Sequence, residues 1–285
     1  MQLTANDLLV QCASYLDADG LAQFGRTSAR FGISQPGQQR SLVNETAHQR
    51  FRQSATDEER GSLPKYDGES DICFYRALGL LRQPLRFDEL VGNGFRPQEN
   101  PASISCTGGG NCSTAMSGHA MRGGRHFVEF LIASTSRMPL VFLGVIRPVS
   151  LTDGIDLEDD WGGHVNPMLV SSNYKSAVAE KLRSHRTSKW GGSIVQCCTY
   201  YCGNGHCNWT DWNNDEITFG WQGSEGLEES GTIGLLLDLA EGTLSVFNNG
   251  RRLGVMKDGL DGEYCWFITD YSGCTISMSK GRAPN

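Results

Sequence analysis

No apolar run of about 18 residues or more occurs in the chain, so nothing in it reads as a membrane-spanning helix. A basic surplus is missing too. Twenty-five Lys and Arg stand against 32 Asp and Glu, a net charge of −7, which is the opposite of a nucleic-acid binder's balance. The opening MQLTANDLLVQCASYL has no positive start and carries Asp7 early, so it does not read as a secretory signal. The expectation is a cytoplasmic or nuclear protein whose thiols are reduced, with neither membrane nor nucleic acid as partner. Catalytic signatures are scarce as well. There is no H-E-x-x-H, no Gly-x-Ser-x-Gly, and Gly108-Gly109-Gly110 lacks the Lys-Ser/Thr of a phosphate-binding loop. No enzyme and no cofactor are expected.

Cysteine is what the chain does have, ten in all, four of them within CCTYYCGNGHC from Cys197 to Cys207. Structural zinc wants two separated ligand pairs. Here Cys198 and Cys202 lie close to His206 and Cys207, and that last pair is adjacent, so its side chains would diverge on a strand. A hairpin fits better: Cys198, Tyr200 and Cys202 on one face, Cys197, Thr199 and Tyr201 on the other, with Gly203-Asn204-Gly205 turning. No metal is expected. Cys106 or Cys112 could form a nucleophile pair with His119 or His126, though nothing in the sequence brings them together. Asp153, Asp156, Glu158, Asp159 and Asp160 lack calcium-loop spacing and read as a solvated loop. Lys175, Lys181, Arg183, Arg186 and Lys189 could dock an acidic or phosphorylated peptide, but an exposed amphipathic insert is the favoured reading.

Apolar spacing is helical up to about residue 56. Leu8, Leu9, Cys12, Tyr15 and Leu16 fall on one face; Leu21 and Phe24 begin a second helix ending near Phe31-Gly32; Leu42, Val43, Ala47 and Phe51 line a third over 41–54. Residues 57–84 read as a linker, charged over 57–70, followed by a connecting helix from Ser70 to Arg82 that Pro84 stops. From Leu85 to the end, short strands alternate with glycine-rich turns: 126–132, 140–146, 194–202, 207–212, 217–221, 232–239, 243–248, 252–256, 264–269 and 275–278. That rhythm predicts an antiparallel β-sandwich, interrupted by an insertion over 153–190 in which 174–185 is either a short helix or a mobile segment. In GTIGLLLDLAEGTLSVFNNGRRLGV, alternating leucines, a turn at Glu241-Gly242 and a second at Asn249-Gly250 predict a three-stranded meander.

This last stretch, Gly231–Val255, resembles the core of a SPRY domain. Gly124-Arg125-His126-Phe127-Val128-Glu129-Phe130 is similar to that family's early strand, and Gly262–Phe267 and Thr275–Met278 to its last strands. The N-terminal LTANDLLVQCASYLDADGLAQFGRTSARF resembles an F-box through Leu3, Leu8, Leu9, Tyr15, Leu16, Asp17, Leu21, Ser28 and Phe31, with Thr4 where that family has proline. The resemblances imply an F-box-like unit over 1–56 and a SPRY-like sandwich over 85–285. Together they imply a substrate-recognition adaptor that presents a bound protein to a cullin–RING ubiquitin ligase. A Skp-family adaptor would then meet Leu8, Leu9, Leu16 and Leu21. The recognised protein or peptide would meet sandwich loops around Trp161, Trp212 and Tyr271, since loop aromatics are common anchors. A scaffold unrelated to ubiquitin and a lectin-like sandwich using 211–215 are the alternatives.

Overall fold

The computed structural model describes residues 5–108, 110–134, 139–214 and 217–284; Leu3, Thr4, Gly109 and Asp215 lie outside them. The chain divides into two compact units, Met1–Gln83 and Pro84–Asn285. No helix among the described residues is long and apolar enough to cross a membrane.

The first unit is helical: α1 (Ala5–Ala13), α2 (Ala18–Thr27), α3 (Ala29–Gly32), α4 (Leu42–Ser54), α5 (Asp57–Ser62) and α6 (Asp71–Arg82). The expected second helix is two, because Ser28 is extended and its hydroxyl caps α3 at Arg30 N–H. The expected linker is not one. Thr56 and Glu59 form a reciprocal capping box that starts α5. Glu59 then takes the Arg82 guanidinium on both oxygens, at 2.7 and 2.8 Å, tying α5 to α6. That bond holds the Glu59 carboxyl down at about 2. Phe51, Ala55, Leu63, Ala77, Leu78 and Leu81 make one core, so α6 belongs to the helical unit and is no connector. Charge composition suggested a linker because capping uses the same residue types that solvated loops use.

The second unit is an antiparallel sandwich of two seven-stranded sheets. In chain order its strands are β1 (Glu89–Val91), β2 (Phe95–Pro97), β3 (Ser103–Cys106), β4 (Ser113–Met116), β5 (Arg125–Ala133), β6 (Val141–Ile146) and β7 (Cys197–Tyr201), then β8 (Cys207–Thr210), β9 (Ile217–Phe219), β10 (Gly231–Asp238), β11 (Thr243–Asn248), β12 (Arg251–Lys257), β13 (Cys265–Asp270) and β14 (Thr275–Lys280). The first sheet runs β1-β4-β13-β6-β7-β8-β9 and the second β12-β11-β10-β5-β14-β3-β2. All ten strands expected from the sequence are present; β1 to β4 were not, being three or four residues long and too short to show alternation. The meander is β10-β11-β12, with Leu235 opposite Val246 and Leu237 opposite Leu244. Asn249 and Gly250 both take positive φ, 48° and 78°, as a two-residue turn of this hand needs.

Between the sheets lies the main core. Val128, Phe130, Ile132, Ile233, Leu235, Leu237, Leu244 and Val246 of the second sheet face Leu143, Val145, Cys198, Tyr200, Trp266 and Ile268 of the first. β6 approaches β7 so closely at Gly144 that a Cβ there would lie 1.9 Å from the Cys198 carbonyl oxygen; only glycine fits.

The insertion builds a second core. Val149, Leu151, Ile155, Trp161, Val165, Met168, Val178, Leu182 and Trp190 cover Met116, Ile146, Cys197, Cys265 and Phe267 on the outer face of the first sheet. Residues Ser176–Ser184 form α7, with Val178, Ala179 and Leu182 inward, so the segment is a packed helix. The fully buried Arg147 anchors the layer at its root. Its guanidinium donates to the carbonyls of Asp261 (2.7 Å), Glu263 (3.1 Å) and Ser193 (3.2 Å) and stacks 4.1 Å over the Tyr264 ring.

Candidate recognition surface

Two of the three expected loop anchors are core residues. Trp161 and Trp212 are both fully buried in the layer between the insertion and the first sheet. Trp161 Nε1 donates to the Leu151 carbonyl at 3.0 Å and Trp212 Nε1 to the Pro167 carbonyl at 3.1 Å. Trp212 meets Trp190 edge-on at 6.2 Å. A tryptophan beside glycines or asparagines reads as a loop tip, but these loops fold back over an apolar sheet face that has to be covered. Burial of Trp212 also removes the aromatic on which a sugar at 211–215 would stack, and Asp211 directs its carboxylate to the backbone N–H groups of Asn213 (2.8 Å) and Asn214 (2.9 Å).

The charged residues of the insertion are similarly committed. Lys181 pairs with Asp160 at 2.6 Å, Arg183 donates to Asn213 Oδ1 at 3.0 Å and to the Trp212 carbonyl, and Lys175 donates to the His164 carbonyl at 3.1 Å. Asp156 caps its own turn through the N–H groups of Glu158 and Asp159, both at 2.8 Å. Acidic loop and basic run meet in the Lys181–Asp160 pair, and the other named contacts hold each to its own surroundings.

Tyr271 is different. It is half-buried and its ring meets the edge of Phe142 at 6.0 Å, with 62° between the planes. Phe142 in turn stacks on Tyr201 at 4.7 Å, with 15° between the planes. The three lie side by side because Phe142 pairs with Tyr201 in register across β6 and β7, while Tyr271 follows β13 and donates its N–H to the Leu140 carbonyl at 3.1 Å. Asn166 of the insertion donates to the Tyr271 hydroxyl at 2.8 Å. All three aromatics are half-buried and Leu140 beside them is exposed, which makes a partly solvated aromatic row at the edge of the covered face. Phe142 and Tyr201 were not foreseen. Their signal was present as outward positions of strands 140–146 and 194–202, but only register shows them to be neighbours.

The cysteine-rich stretch is the β7–β8 hairpin. Cys198, Tyr200, Cys202 and Cys207 face the inter-sheet core and Cys197 the outer one. Cys198 and Cys207 place their sulfurs 3.9 Å apart, and burial pushes the Cys198 and Cys202 thiols far up. Among the described residues no group of three or more His, Cys, Asp or Glu could hold a metal ion. Burial also raises the Cys106 and Cys112 thiols and lowers His119 and His126 to about 4. That is the reverse of what a thiolate–imidazolium pair needs.

In the helical unit the expected single face of α1 is split. Ala13 and Leu16 pack inward with Leu21, Ala47 and Phe24. Leu8, Cys12 and Tyr15 are exposed at i, i+4 and i+7, Tyr15 at 85%. Leu9 and Leu16 are half-buried and Leu21 is fully buried. Of the expected adaptor contacts, Leu21 is therefore a core residue, because α2 must fill the space between α4 and α6.

Neither a protein-family model nor a curated protein sequence matches the chain. Solved structures do resemble it. The SPRY domain of human HERC1 is 17% identical with a TM-score of 0.43, over 66% of this chain and 99% of that one. The PSpry domain of TRIM65 is 14% identical with a TM-score of 0.42, over 70% and 93%. The NEUZ (NHR) domain in Neuralized from Drosophila melanogaster is 15% identical with a TM-score of 0.40, over 70% and 93%.

Proposed function

We propose that this chain is a protein–protein interaction module in which the two units hold two different proteins. The sandwich recognises a protein or peptide at the row Phe142, Tyr201 and Tyr271. The helical unit holds a Skp-family adaptor, so that the recognised protein is presented to a cullin–RING ubiquitin ligase. No residue of this chain does chemistry in that role. The resemblances of Gly231–Val255 to a SPRY core and of the N-terminal helices to an F-box support the reading. The observation that carries the adaptor half is the exposed pair Leu8 and Cys12 on α1, with Tyr15 exposed in the turn that follows, beside residues that already pack inward. Large apolar side chains exposed side by side are characteristic of protein interfaces.

Replacing Leu8 and Tyr15 together with Asp tests this. Buried interface anchors each contribute on the order of 2 kcal/mol, so capture of purified Skp-family adaptor should fall by well over tenfold. The melt should stay as in the wild type, since neither side chain fills the core. A wild-type chain that captures no adaptor would sink the ligase half.

A further inference from the structure

Three basic side chains converge on one carboxylate in the helical unit. Asp71, buried at the start of α6, takes Arg40 Nε at 3.0 Å, Lys65 Nζ at 2.6 Å and His48 Nδ1 at 3.4 Å. One carboxylate balances one charge. The same residues line a cavity of about 470 Å³ that Arg52, Arg60, Phe51 and Phe74 complete. Arg40, Arg52, Arg60 and Lys65 against Asp71 leave a formal lining charge of +3 from arginine, lysine and aspartate, in a chain whose net charge is −7.

The surplus is only partly offset elsewhere in the unit: Glu45 lies 3.5 Å from Arg40, but both side chains are partly exposed and the attraction is weak in water. Arg60 donates to the Arg52 carbonyl at 2.8 Å and reaches Asp57 at 2.6 Å, but that carboxylate is almost fully exposed and its attraction is weak in water, so the guanidinium charge stays largely unbalanced. Arg52 is exposed, and its guanidinium has no hydrogen-bond or ion-pair partner among the described residues. Phe51 and Phe74, 4.2 Å apart, form an apolar wall. Guanidinium groups in a half-enclosed, partly apolar setting suit a doubly charged, many-acceptor anion, because the planar fork binds two oxygens at once.

We infer that this cavity binds a phosphate monoester dianion or free phosphate, with Arg52 and Arg60 gripping its oxygens and the Asp71 cluster holding the cradle open. Asp71 keeps Arg40 and Lys65 oriented, and Lys65 also lies 5.9 Å from the Phe74 ring centroid. The cavity is several times larger than a phosphate ion, which leaves room for the atoms that carry the group.

The test uses the full chain in calorimetric titration at constant ionic strength. The probes are inorganic phosphate, a Gly-Gly-phosphoserine-Gly-Gly peptide and its unphosphorylated parent. The wild type should bind the phosphorylated peptide or free phosphate and not the parent. Binding of free phosphate alone identifies the ion as the ligand; tighter binding of the phosphopeptide identifies a phosphorylated chain. R52Q, which removes no internal contact, should melt as the wild type does and weaken binding roughly tenfold, the loss of one charge-assisted hydrogen bond. R52Q with R60Q should abolish it. Wild type that takes up neither phosphate probe overturns the inference, as does R52Q binding as tightly as wild type, whatever the double variant does to the fold.

Discussion

Trp212→Ala separates a core residue from a ligand anchor. The side chain is fully buried, its Nε1 donates to the Pro167 carbonyl at 3.1 Å, and its ring meets Trp190 at 6.2 Å. Truncating a buried tryptophan costs about 3–5 kcal/mol through lost burial and the cavity left behind. Of that total, about 1 kcal/mol comes from the Pro167 carbonyl left unpaired. Backbone strain gives nothing back, because Trp212 sits at φ 59° and alanine is no better there than tryptophan. All six tryptophans lie between residues 161 and 266, so intrinsic fluorescence follows the sandwich and not the helices. With a urea m-value of about 2–3 kcal/mol/M for a unit this size, the midpoint should drop by roughly 1–2 M. Trp212→Phe, which keeps most of the volume, should drop it less. An unchanged midpoint in the alanine variant would refute the burial argument and restore Trp212 as a surface anchor.

Leu237→Asp places a charge with no partner in the inter-sheet core, where Leu237 is fully buried, and should leave little soluble protein; a normal yield and melt would contradict the register. Burial holds His126 at about 4 against an ordinary 6.5, so the folded state binds its proton less readily than the unfolded chain does. Its contribution is therefore complete above about pH 6.5 and is lost as pH falls toward 4, by about 3 kcal/mol, and His126→Gln should flatten that part of the pH–stability curve. Treatment with a strong chelator should leave the sandwich's melt unchanged and release no zinc on elemental analysis; one equivalent of zinc would show that the β7–β8 cysteines are ligands.

Local pattern was enough for the sandwich. Leu235, Leu237, Leu244 and Val246 alternate, Asn249-Gly250 turns, and the CCTYYCGNGHC hairpin divides its cysteines between two faces as a period of two requires. These features depend on neighbours a few residues away, which a sequence displays directly. The helices near the N-terminus were legible for the same reason, apart from the break at Ser28 and the capping box that turned an apparent linker into α5.

What tertiary structure decided was which apolar residues meet water. Trp161, Trp212 and Leu21 carry the same local signal as exposed anchors; an insertion folded across a sheet face and a helix wedged between two others bury them. The half-buried row of Phe142, Tyr201 and Tyr271 comes from positions 59 and 70 residues apart, and the cluster on Asp71 from Arg40, His48 and Lys65. Periodicity assigns a side chain to a face of its own element. Only packing of elements distant in the chain determines whether that face is covered, and by what.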